Sequence, residues 1–532
     1  PEIVIAINEF CVQNNTKFIG KDITVEDINS ALITLKLKDQ VVIDQDKVYS
    51  KKQYNFESSS ASILNQIMET RSDLMFLTEE AVKKFIDDFE HSTNMELSDE
   101  QKTALYYFAE KKVFIITGAP GTGKTETLKA IVQLAHSIGL NLTCMTPTGI
   151  SAKKLASTID YEAFTIHRRL GFRNNEWLYN ELNPFDVDIA IIDESSMIDQ
   201  EVLYRMLSAL KKRTHIIFVG DHNQLPSVGA GNVLKELIHC GALPVVTLDK
   251  IFRQDEASDI IKAAHQIIHG DTSLSLFKAE PASDIFFMRI REIQEIEKIV
   301  VALAEKFKSS IPPRMFQIIT PRNTGPLGVD SLNQILQQAL NPPSPLLSEM
   351  KLTHFVIRRG DRIIVRKNDY QNDIFNGDVG KVISIVPSSI TIQIDALLVN
   401  IPLEEIEEKI KLAYAMTVHK SQGLEYPTVI LLMVNQHGKN LLQRNLLYTA
   451  ITRAKKKVIV IGHGSAVERS INNTSVIKRN TKLGERLCLL KKKNPSLSKP
   501  LSEPVDCQDA PPEEELSLSE IDSFYPMGIT EK

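Results

Sequence analysis

The sequence is poor in the features that mark secreted, metal-bound and membrane proteins. Its five cysteines form no C-x-x-C pair, and they are Cys11, Cys144, Cys240, Cys488 and Cys507. Scattered thiols indicate neither a disulfide framework nor a zinc site. The sequence contains no apolar run of about 18 residues and no charged-then-apolar leader, so we expect a cytoplasmic protein without a membrane partner.

Basic charge does not predominate either, since the formal net charge is −5. Residues 494–532 hold nine acidic residues and two lysines, a net charge of −7, so the rest of the chain carries +2. Because this segment is rich in Pro, Ser and Glu and has no apolar periodicity, residues 491–532 are predicted to be a disordered acidic tail. A near-neutral body does not exclude a nucleic-acid partner, because phosphate binding depends on local basic clusters.

The most informative stretch is GAPGTGKT, which matches G-x-x-x-x-G-K-[ST] at every position. It lies between an apolar run at 113–116 and an amphipathic segment at 126–135, a context that predicts strand, turn and helix. Backbone N–H groups of such a turn bind phosphate oxygens, Lys124 adds a charge for the β- and γ-phosphates, and the Thr125 hydroxyl ligates Mg²⁺. The predicted phosphate-binding residues are Gly118, Ala119, Pro120, Gly121, Thr122, Gly123, Lys124 and Thr125.

Apolar strands alternate with helical segments through most of the chain, which predicts an α/β fold with two parallel sheets. The strands VFIITG, LTCMTP, IAIID and HIIFVG fall within a first domain at 96–245. A second domain at 246–490 contains FQIITP, TVILLM and KVIVIG. Near 360–402, short alternating strands with NGD and PSS turns predict a small β-barrel inserted into the second domain.

Residues 1–95 differ from this alternation. Short helical patterns precede VVIDQDKVYS, a strand pair around a turn at 44–46, and a helical connector follows. Helices with a small hairpin predict a winged-helix-like module, and a plain α+β packing domain fits equally well. The chain opens on Pro1 rather than Met, which predicts a processed N-terminus or a fragment of a longer protein.

Two further strand ends carry side chains suited to phosphate chemistry. Asp193 and Glu194 follow an apolar strand, where doubly wound sheets bind their ligands. We expect Asp193 to hold Mg²⁺ through water and Glu194 to orient and deprotonate an attacking water, with a surface acidic turn as the alternative. Gln224 follows the next strand and is predicted to sense the γ-phosphate, or else to form an Asx-type turn.

The order of these motifs resembles superfamily 1 helicases and, within them, the RecD-like branch of 5′→3′ motors (the RecD or exonuclease V alpha-subunit family). The match covers about residues 96–463. NDIFNGDVG and RNTGPLGVDSLN favour this branch over UvrD-like relatives. The motifs, in the family's order, are LSDEQKTAL, GAPGTGKT, TPTGISAKKL, TIHRRLGF, IIDESSMID, VGDHNQLPSVG, LDKIFRQ, ITPRNTGPLGVDSLN, FNGDVGKV, AMTVHKSQGLEYPTVIL and LLYTAITRAKKKVIVIG.

The resemblance implies two RecA-like domains with ATP and Mg²⁺ between them. It implies that Gln101 reads the adenine edge and that Arg253 and Arg453 reach the γ-phosphate from the second domain. A guanidinium supplied across a cleft stabilises the transferring phosphoryl group, whereas either arginine taken alone fits a surface salt bridge better. The catalytic set is then Lys124, Glu194, Gln224, Arg253 and Arg453.

Candidate DNA contacts lie at other strand ends, where hydroxyls, backbone N–H groups and imidazoles hold phosphates without reading sequence. His167 and His419 fit core or turn histidines as an alternative. No metal cluster of His, Cys or Asp accompanies these residues in the sequence, so we assign no nuclease. The candidates are Thr146, Pro147, Thr148, His167, Trp177, Thr417, His419 and Ser421.

The segment GFRNNEWLYNELNPFDVD is too short for a domain and predicts a hairpin near 172–185, with a turn at 174–175. In RecD-like relatives the equivalent segment is a pin that meets the duplex fork. Trp177 is the only tryptophan of the chain. It either stacks on an exposed base or anchors the hairpin to the domain core.

These observations predict an ATP-dependent 5′→3′ DNA helicase of DNA repair or recombination, acting on single-stranded and forked DNA. Two alternatives stay open. One is a RecD-type motor subunit of a RecBCD-like helicase–nuclease with exonuclease V-type partner subunits, and the other is a non-motor ATP-dependent DNA clamp.

Overall fold

The computed structural model describes residues 25–70, 72–74, 76–250, 258–273, 283–310, 315–346, 348–369, 371–475 and 479–493. Arg253, the first part of the predicted N-terminal module (1–24) and the predicted tail from residue 494 onward lie outside the described residues. In the described ranges, no helix has both the length and the apolar character needed to cross a membrane.

The strands of the described ranges are β1 (Val41–Asp44), β2 (Lys47–Ser50), β3 (Val113–Gly118), β4 (Leu142–Thr146), β5 (Ala163–Thr165), β6 (Phe172–Arg173), β7 (Glu176–Trp177), β8 (Ile189–Ile192), β9 (His215–Gly220), β10 (Val245–Leu248), β11 (Ile285–Arg289), β12 (Phe316–Thr320), β13 (Glu349–Lys351), β14 (Val356–Arg358), β15 (Arg362–Val365), β16 (Val379–Val386), β17 (Ser389–Ile394), β18 (Leu397–Pro402), β19 (Ile410–Leu412), β20 (Ala415–Thr417), β21 (Tyr426–Met433) and β22 (Ala454–Gly462).

The α-helices of the same ranges are α1 (Val25–Leu37), α2 (Lys51–Glu69), α3 (Glu79–Thr93), α4 (Asp99–Glu110), α5 (Lys124–Ser137), α6 (Gly149–Ile159), α7 (Ile166–Arg169), α8 (Gln200–Ser208), α9 (Val233–His239), α10 (Asp259–Ile268), α11 (Ile293–Ser310), α12 (Val329–Leu340), α13 (Ile406–Lys409), α14 (Arg444–Ile451), α15 (Gly464–Asn472) and α16 (Leu483–Lys493).

The first sheet is parallel, with the strand order β10-β3-β9-β8-β4-β5. Strands β3, β4, β8 and β9 are buried along their whole length, because apolar strands of a parallel sheet are covered by helices on both faces. Since β3, β9 and β8 are neighbours, their carboxyl ends lie side by side. Three segments that are distant in sequence are thereby brought to one edge.

The second sheet is also parallel, in the order β11-β22-β21-β12-β20. Buried apolar side chains of β21 and β22 pack with α10, α14 and α15 on one face and with α11 and α12 on the other. The prediction of an α/β fold with two parallel-sheet domains is confirmed.

An antiparallel sheet is inserted between β12 and β20, with the strand order β18-β17-β16-β15-β19. The barrel predicted at 360–402 overlaps four of these strands, and the fifth, β19 at Ile410–Leu412, lies beyond it. Alternate residues of β17 are buried, as in a sheet with one face toward a core. Whether the insertion closes as a barrel stays a prediction.

Helix α16, the last helix of the described residues, packs with the first sheet, although the sequence places residues up to 490 in the second domain. Leu483 and Leu487 are fully buried in the core that covers β3, β8 and β9. Arg486 donates to Glu57 Oε1 at 2.9 Å and to Asp44 Oδ2 at 2.6 Å. The apolar face of α16 is therefore buried on the first domain, and Arg486 bonds the helix to β1 and to α2.

A buried carboxylate helps to attach the inserted sheet to the second domain. Asp361 is fully buried and accepts four hydrogen bonds. Its donors are Gln337 Nε2 at 2.5 Å, Asn341 Nδ2 at 2.7 Å, Arg358 N at 2.7 Å and Tyr414 OH at 2.8 Å. Because these donors come from α12, β14 and the segment before β20, the carboxylate fixes the base of the insertion.

Replacing this carboxylate should destabilise the protein. Asp361→Ala removes the shared acceptor of four donors, three of them on buried residues, and each buried group left unpaired costs about 1–3 kcal/mol before relaxation. We expect the free energy of unfolding to fall by about 3 kcal/mol or more, measured by urea denaturation. Asp88→Ala, at an exposed position of α3, is the control and should change it by less than about 0.5 kcal/mol. Equal stability of the two variants would contradict this assignment.

Candidate active site in the cleft between the two parallel sheets

The phosphate loop joins β3 to α5 in a conformation that requires glycine. Gly121 has φ 88° and Gly123, the N-cap of α5, has φ 84°, values at which a side chain is strained. Lys124 Nζ donates to the carbonyl oxygens of Gly118 at 2.7 Å and Ala119 at 2.9 Å. The loop thus curls around the ammonium group and holds it at the start of the helix, where anions bind.

Gln101 contacts this loop from α4. Its Oε1 accepts from Ser98 N at 2.8 Å, as part of a capping box, and its Nε2 donates to Gly123 O at 3.2 Å. The side chain is buried and both ends of its amide are engaged. The structure therefore shows Gln101 as a tether between α4 and the phosphate loop, and its implied role in reading adenine stays a prediction that requires these bonds to exchange.

Asp193 and Glu194 follow β8, two strands from β3. The Glu194 backbone has φ 53°, an uncommon conformation for a residue with a side chain and one that is often found at functional sites. Its N–H donates to Asp193 Oδ1 at 2.8 Å. Burial, and next the neighbouring Glu194 carboxylate, raise the pKa of Asp193, while the Lys124 ammonium group opposes the increase. A bound cation would relieve this repulsion.

Gln224 follows β9, the strand between β3 and β8. Its side chain is buried at the cleft and its Nε2 donates to Asp221 Oδ2 at 3.4 Å. The sheet therefore brings together the phosphate loop, the two carboxylates and Gln224, as predicted for adjacent strand ends.

Arg453 reaches the same cleft from the second domain, at the start of β22. Its guanidinium is buried and donates from Nε to Thr449 O at 3.0 Å and from Nη1 to Leu424 O at 3.2 Å. In this conformation its partners belong to its own domain. Its predicted companion Arg253 lies outside the described residues.

The cleft has a cavity volume of about 350 Å³ and is lined by both domains. Thr125 and Asp193 both face it, and a hydroxyl with a carboxylate is a ligand set that suits Mg²⁺. Glu126 Oε2, which also lines it, is buried without a hydrogen-bond partner among the described residues. Sequence reasoning missed several lining residues, which are Glu126, Ser151, Lys154, Leu155, Thr158 and Glu425.

An ion-pair network crosses the cleft at Glu425. Lys154 of the first domain lies 2.8 Å from Glu425 Oε1, and Lys455 of the second domain lies 2.9 Å from Oε2. Burial alone would raise the pKa of Glu425, but the two ammonium groups hold it at about 2. The carboxylate thus remains charged between the domains. Both lysines stand within quoted motifs, but the pairing itself depends on the tertiary structure.

The DNA candidates of the first domain follow β4 and β5. Thr146 is fully buried and its hydroxyl donates to Thr148 O at 2.8 Å, so it shapes the turn. Thr148 Oγ1 accepts from Ser151 N at 3.3 Å as the N-cap of α6. Pro147 and Thr148 are half-buried and accessible.

The DNA candidates of the second domain lie at the end of β20 and in the turn that follows it. His419 is exposed, whereas Ser421 is fully buried and its hydroxyl donates to Val418 O at 2.8 Å. Thr417 and His419 line a surface groove with a cavity volume of about 750 Å³, together with Arg322, Lys420 and Lys439. These three cations were missed by sequence reasoning. The hydroxyls of Thr146 and Ser421 are buried and donate within their own turns, and contact of these residues with DNA stays a prediction.

The hairpin β6–β7 has a two-residue turn in which Asn174 and Asn175 have φ 51° and 63°, the conformation that asparagine tolerates best. The Trp177 ring packs 4.5 Å from that of Phe172 and 5.2 Å from that of His167, between centroids. Trp177 also borders the apolar core of the first domain. This packing favours the anchoring role of Trp177, and contact with a base stays a prediction.

The geometry defines a P-loop nucleotide-binding core made of two parallel-sheet domains. The chain matches three families, described as AAA domain over residues 96–285, ATP-dependent RecD-like DNA helicase SH3 domain over 332–396 and UvrD-like helicase C-terminal domain over 412–461. It belongs to the RecD-like branch of the superfamily 1 helicases, a family that uses nucleotide.

Two relatives illustrate the likeness. An ATP-dependent RecD2 DNA helicase from Deinococcus radiodurans is 34% identical over 398 residues, which cover 72% of this chain and 52% of the relative. The RecBCD enzyme subunit RecD of Mycolicibacterium smegmatis is 28% identical over 429 residues, covering 73% of this chain and 75% of the relative. This chain therefore spans about half the length of the RecD2 relative.

Among solved structures, the chain is similar to one from a study of DNA unwinding at forked dsDNA by two coordinating Pif1 helicases. The identity is 20% and the TM-score is 0.45, with 69% of this chain and 92% of that chain covered.

The Glu425 network should help to hold the cleft together. Glu425→Gln removes the charge that attracts both lysines, and a partly exposed ion pair is worth up to about 1 kcal/mol. We expect a wider mean separation of the domains in the nucleotide-free protein, measured by energy transfer between dyes at exposed Lys83 and Lys298. Glu404→Gln, at an exposed glutamate of the inserted segment, is the control.

The same network predicts that the separation of the domains does not depend on pH near neutrality. A carboxylate with a lowered pKa contributes its stabilisation at every pH above its ordinary value of 4.5 and loses it as the pH falls toward about 2. Transfer efficiency should therefore not change through this pair between pH 5 and 8. A change in that window that disappears in Glu425→Gln would contradict the assignment.

Proposed function

We propose that this chain hydrolyses ATP in the cleft to move 5′→3′ along single-stranded DNA and to unwind forked duplex. The observation that carries the proposal is the convergence at one cleft of four elements from two domains. The phosphate loop, Glu194 and Gln224 follow three adjacent strands of the first sheet, and Arg453 faces them from the second.

In this proposal, the N–H groups of the phosphate loop and Lys124 bind the triphosphate. Thr125 and Asp193 hold Mg²⁺, which when bound neutralises charge on the β- and γ-phosphate oxygens. Glu194 orients the attacking water and accepts its proton. Arg453 releases the carbonyl oxygens of Thr449 and Leu424 to bind the γ-phosphate, so that the state of the nucleotide controls closure of the cleft.

DNA is proposed to cross the carboxyl edges of both sheets. Pro147 and Thr148 lie at this edge of the first domain, and His419 lies at that of the second beside the Arg322 and Lys420 groove. Cations and small polar groups of this kind bind the phosphate backbone without sequence preference. Alternate closing and opening of the cleft would then move one set of contacts relative to the other.

A second candidate function is that of a RecD-type motor subunit with exonuclease V-type partners. It is supported by the similarity of this chain to the RecBCD enzyme subunits RecD of Mycolicibacterium smegmatis and Haemophilus influenzae, which are 28% and 27% identical. Such a subunit would translocate with the same site and would need its partners for full activity.

The central test compares a duplex with a 5′ single-stranded tail against one with a 3′ tail. The purified chain should unwind the 5′-tailed substrate over many turnovers. Binding without strand separation would indicate a clamp, and unwinding only after addition of partner subunits would indicate the RecD-type function. Preference for the 3′ tail would contradict the proposed polarity.

Glu194→Gln should stop hydrolysis and spare nucleotide binding, because the amide cannot accept the proton from water. We expect DNA-stimulated ATPase to fall by about 10²–10⁴-fold, with the Kd of a fluorescent ATP analogue within about twofold of the parent. Glu485→Gln, an exposed glutamate of α16, is the matched control and should leave both quantities unchanged. Near-normal ATPase in Glu194→Gln would show that another residue accepts the proton from water.

The β6–β7 hairpin is proposed to meet the fork as a pin. Replacing residues 173–182 with a short Gly-Ser link should keep ATPase stimulated by single-stranded DNA, because the phosphate loop and Asp193 lie outside the segment. The rate of duplex unwinding should fall to near zero. Leu182→Ser changes a 97% exposed side chain and keeps the hairpin, so it serves as the control. If the link variant unwound as well as its parent, the separating element would lie elsewhere, with the inserted sheet as the next choice.

A further inference from the structure

Helix α14 of the second domain is hydrogen-bonded to the loop that carries Gln224 in the first domain. Three of its residues, Asn445, Tyr448 and Thr449, are spaced i, i+3 and i+4 and so share one helical face. Asn445 Nδ2 donates to Asn223 O at 2.8 Å and to Gln224 O at 3.2 Å. The backbone of the predicted γ-phosphate sensor is thus held by the opposite domain.

Tyr448 makes the shortest of these contacts. Its hydroxyl donates to Asp221 Oδ2 at 2.7 Å, and the same oxygen accepts from Gln224 Nε2 at 3.4 Å. Asp221 Oδ1 accepts from Asn223 N at 3.0 Å. One carboxylate therefore joins the Tyr448 hydroxyl to the Gln224 side chain.

These groups are shielded from water. The exposed fraction is 0% for Tyr448, 1% for Asp221 and 5% for Gln224. A buried hydrogen bond to a carboxylate is among the stronger ones, and loss of the donor cannot be replaced by bulk water. Burial, and next the Asp221 carboxylate, raise the pKa of the Tyr448 hydroxyl, so it remains a donor at every physiological pH.

Further hydrogen bonds connect α14 and the loop that carries Gln224 to Gln422, near the candidate DNA contacts, and to Arg453. Leu225 N donates to Thr449 Oγ1 at 2.8 Å, and Thr449 O accepts from Arg453 Nε at 3.0 Å. Leu225 O accepts from Gln422 Nε2 at 3.2 Å. Gln422 lies three residues after His419, a candidate DNA contact, so the loop around Gln224 is bonded both to the DNA-side turn and to the helix that precedes Arg453.

We propose that Tyr448, acting through Asp221, is a positioning residue that makes the placement of Gln224 in the ATP site depend on DNA bound by the second domain. The inference rests on the proposed ATP-driven motor. DNA held at the turn around His419 restrains Gln422 and α14, and these restrain the loop between Asp221 and Leu225. Hydrolysis is then stimulated by DNA because Gln224 is held in one position.

Tyr448→Phe tests this directly, because it retains the buried ring and removes only the hydroxyl. We expect the basal ATPase and the KM for ATP to remain within about twofold of the parent, since the phosphate loop is untouched. Stimulation of kcat by oligo-dT should fall about tenfold, the effect of losing one strong hydrogen bond. A purely structural role would lower basal and stimulated rates by the same factor.

Tyr414→Phe is the matched control. It removes an equivalent bond from a buried tyrosine to a buried aspartate, Tyr414 OH to Asp361 Oδ1 at 2.8 Å, at a place away from the cleft. Its ratio of stimulated to basal ATPase should equal that of the parent. The double variant Tyr448→Phe/Asp221→Asn should be no worse than the more impaired single variant, because the amide keeps an acceptor but not the charge, so both changes weaken one shared interaction.

Three results would overturn the assignment. These are normal stimulation in Tyr448→Phe, an equal loss in Tyr414→Phe, or additive losses in the double variant. If the parent itself were not stimulated by DNA, the proposed motor function would fall and this assignment with it. Should Tyr448→Phe not fold, Thr449→Val must lose stimulation while Thr449→Ser, which keeps the acceptor for Leu225 N, must retain it.

Discussion

The arrangement of this site depends on the geometry of parallel strands, whose carboxyl ends all lie at one edge of a sheet. Because β3, β9 and β8 are neighbours, three segments that are distant in sequence meet at this edge. They are the phosphate loop, Gln224, and the pair Asp193 and Glu194. The same edge, farther along at β4, carries Pro147. The nucleotide cleft and the proposed DNA contacts of the first domain thus lie at one edge of the same sheet. A movement of the second domain relative to this sheet therefore acts on both.

Three charged groups that face the cleft are bonded to protein partners, whereas Glu126 Oε2 has none among the described residues. Lys124 is held by loop carbonyls, Arg453 by the carbonyls of its own domain, and Glu425 by a lysine from each side. A bound nucleotide must therefore displace the protein partners of these groups. Phosphate can compete for Lys124 and Arg453 because it carries full negative charge, whereas a carbonyl oxygen carries only a partial one.

The features that sequence predicts best are those fixed over a few residues. The turn of the phosphate loop, the Asn174 and Asn175 turn and the alternation of apolar strands follow from local backbone preference and hydrophobic period. Contacts between distant segments could not be predicted in this way. The bond from Tyr448 to Asp221 joins positions 227 residues apart. Likewise, nothing local shows that the hydroxyl of Ser421 is buried, because its surroundings are set by packing.

The distribution of hydrogen bonds suggests why coupling would reside in the loop after β9 rather than in the phosphate loop. The phosphate loop is bonded mainly within its own domain, through Gln101 and Lys124. The loop around Gln224 instead has backbone groups on both of its flanks bonded to the second domain. A loop whose hydrogen-bond partners lie on the moving body must either follow that body or lose buried bonds, and the latter costs more. In the proposed mechanism Gln224 would therefore follow the second domain, whereas the phosphate loop would keep its shape at any position of that domain.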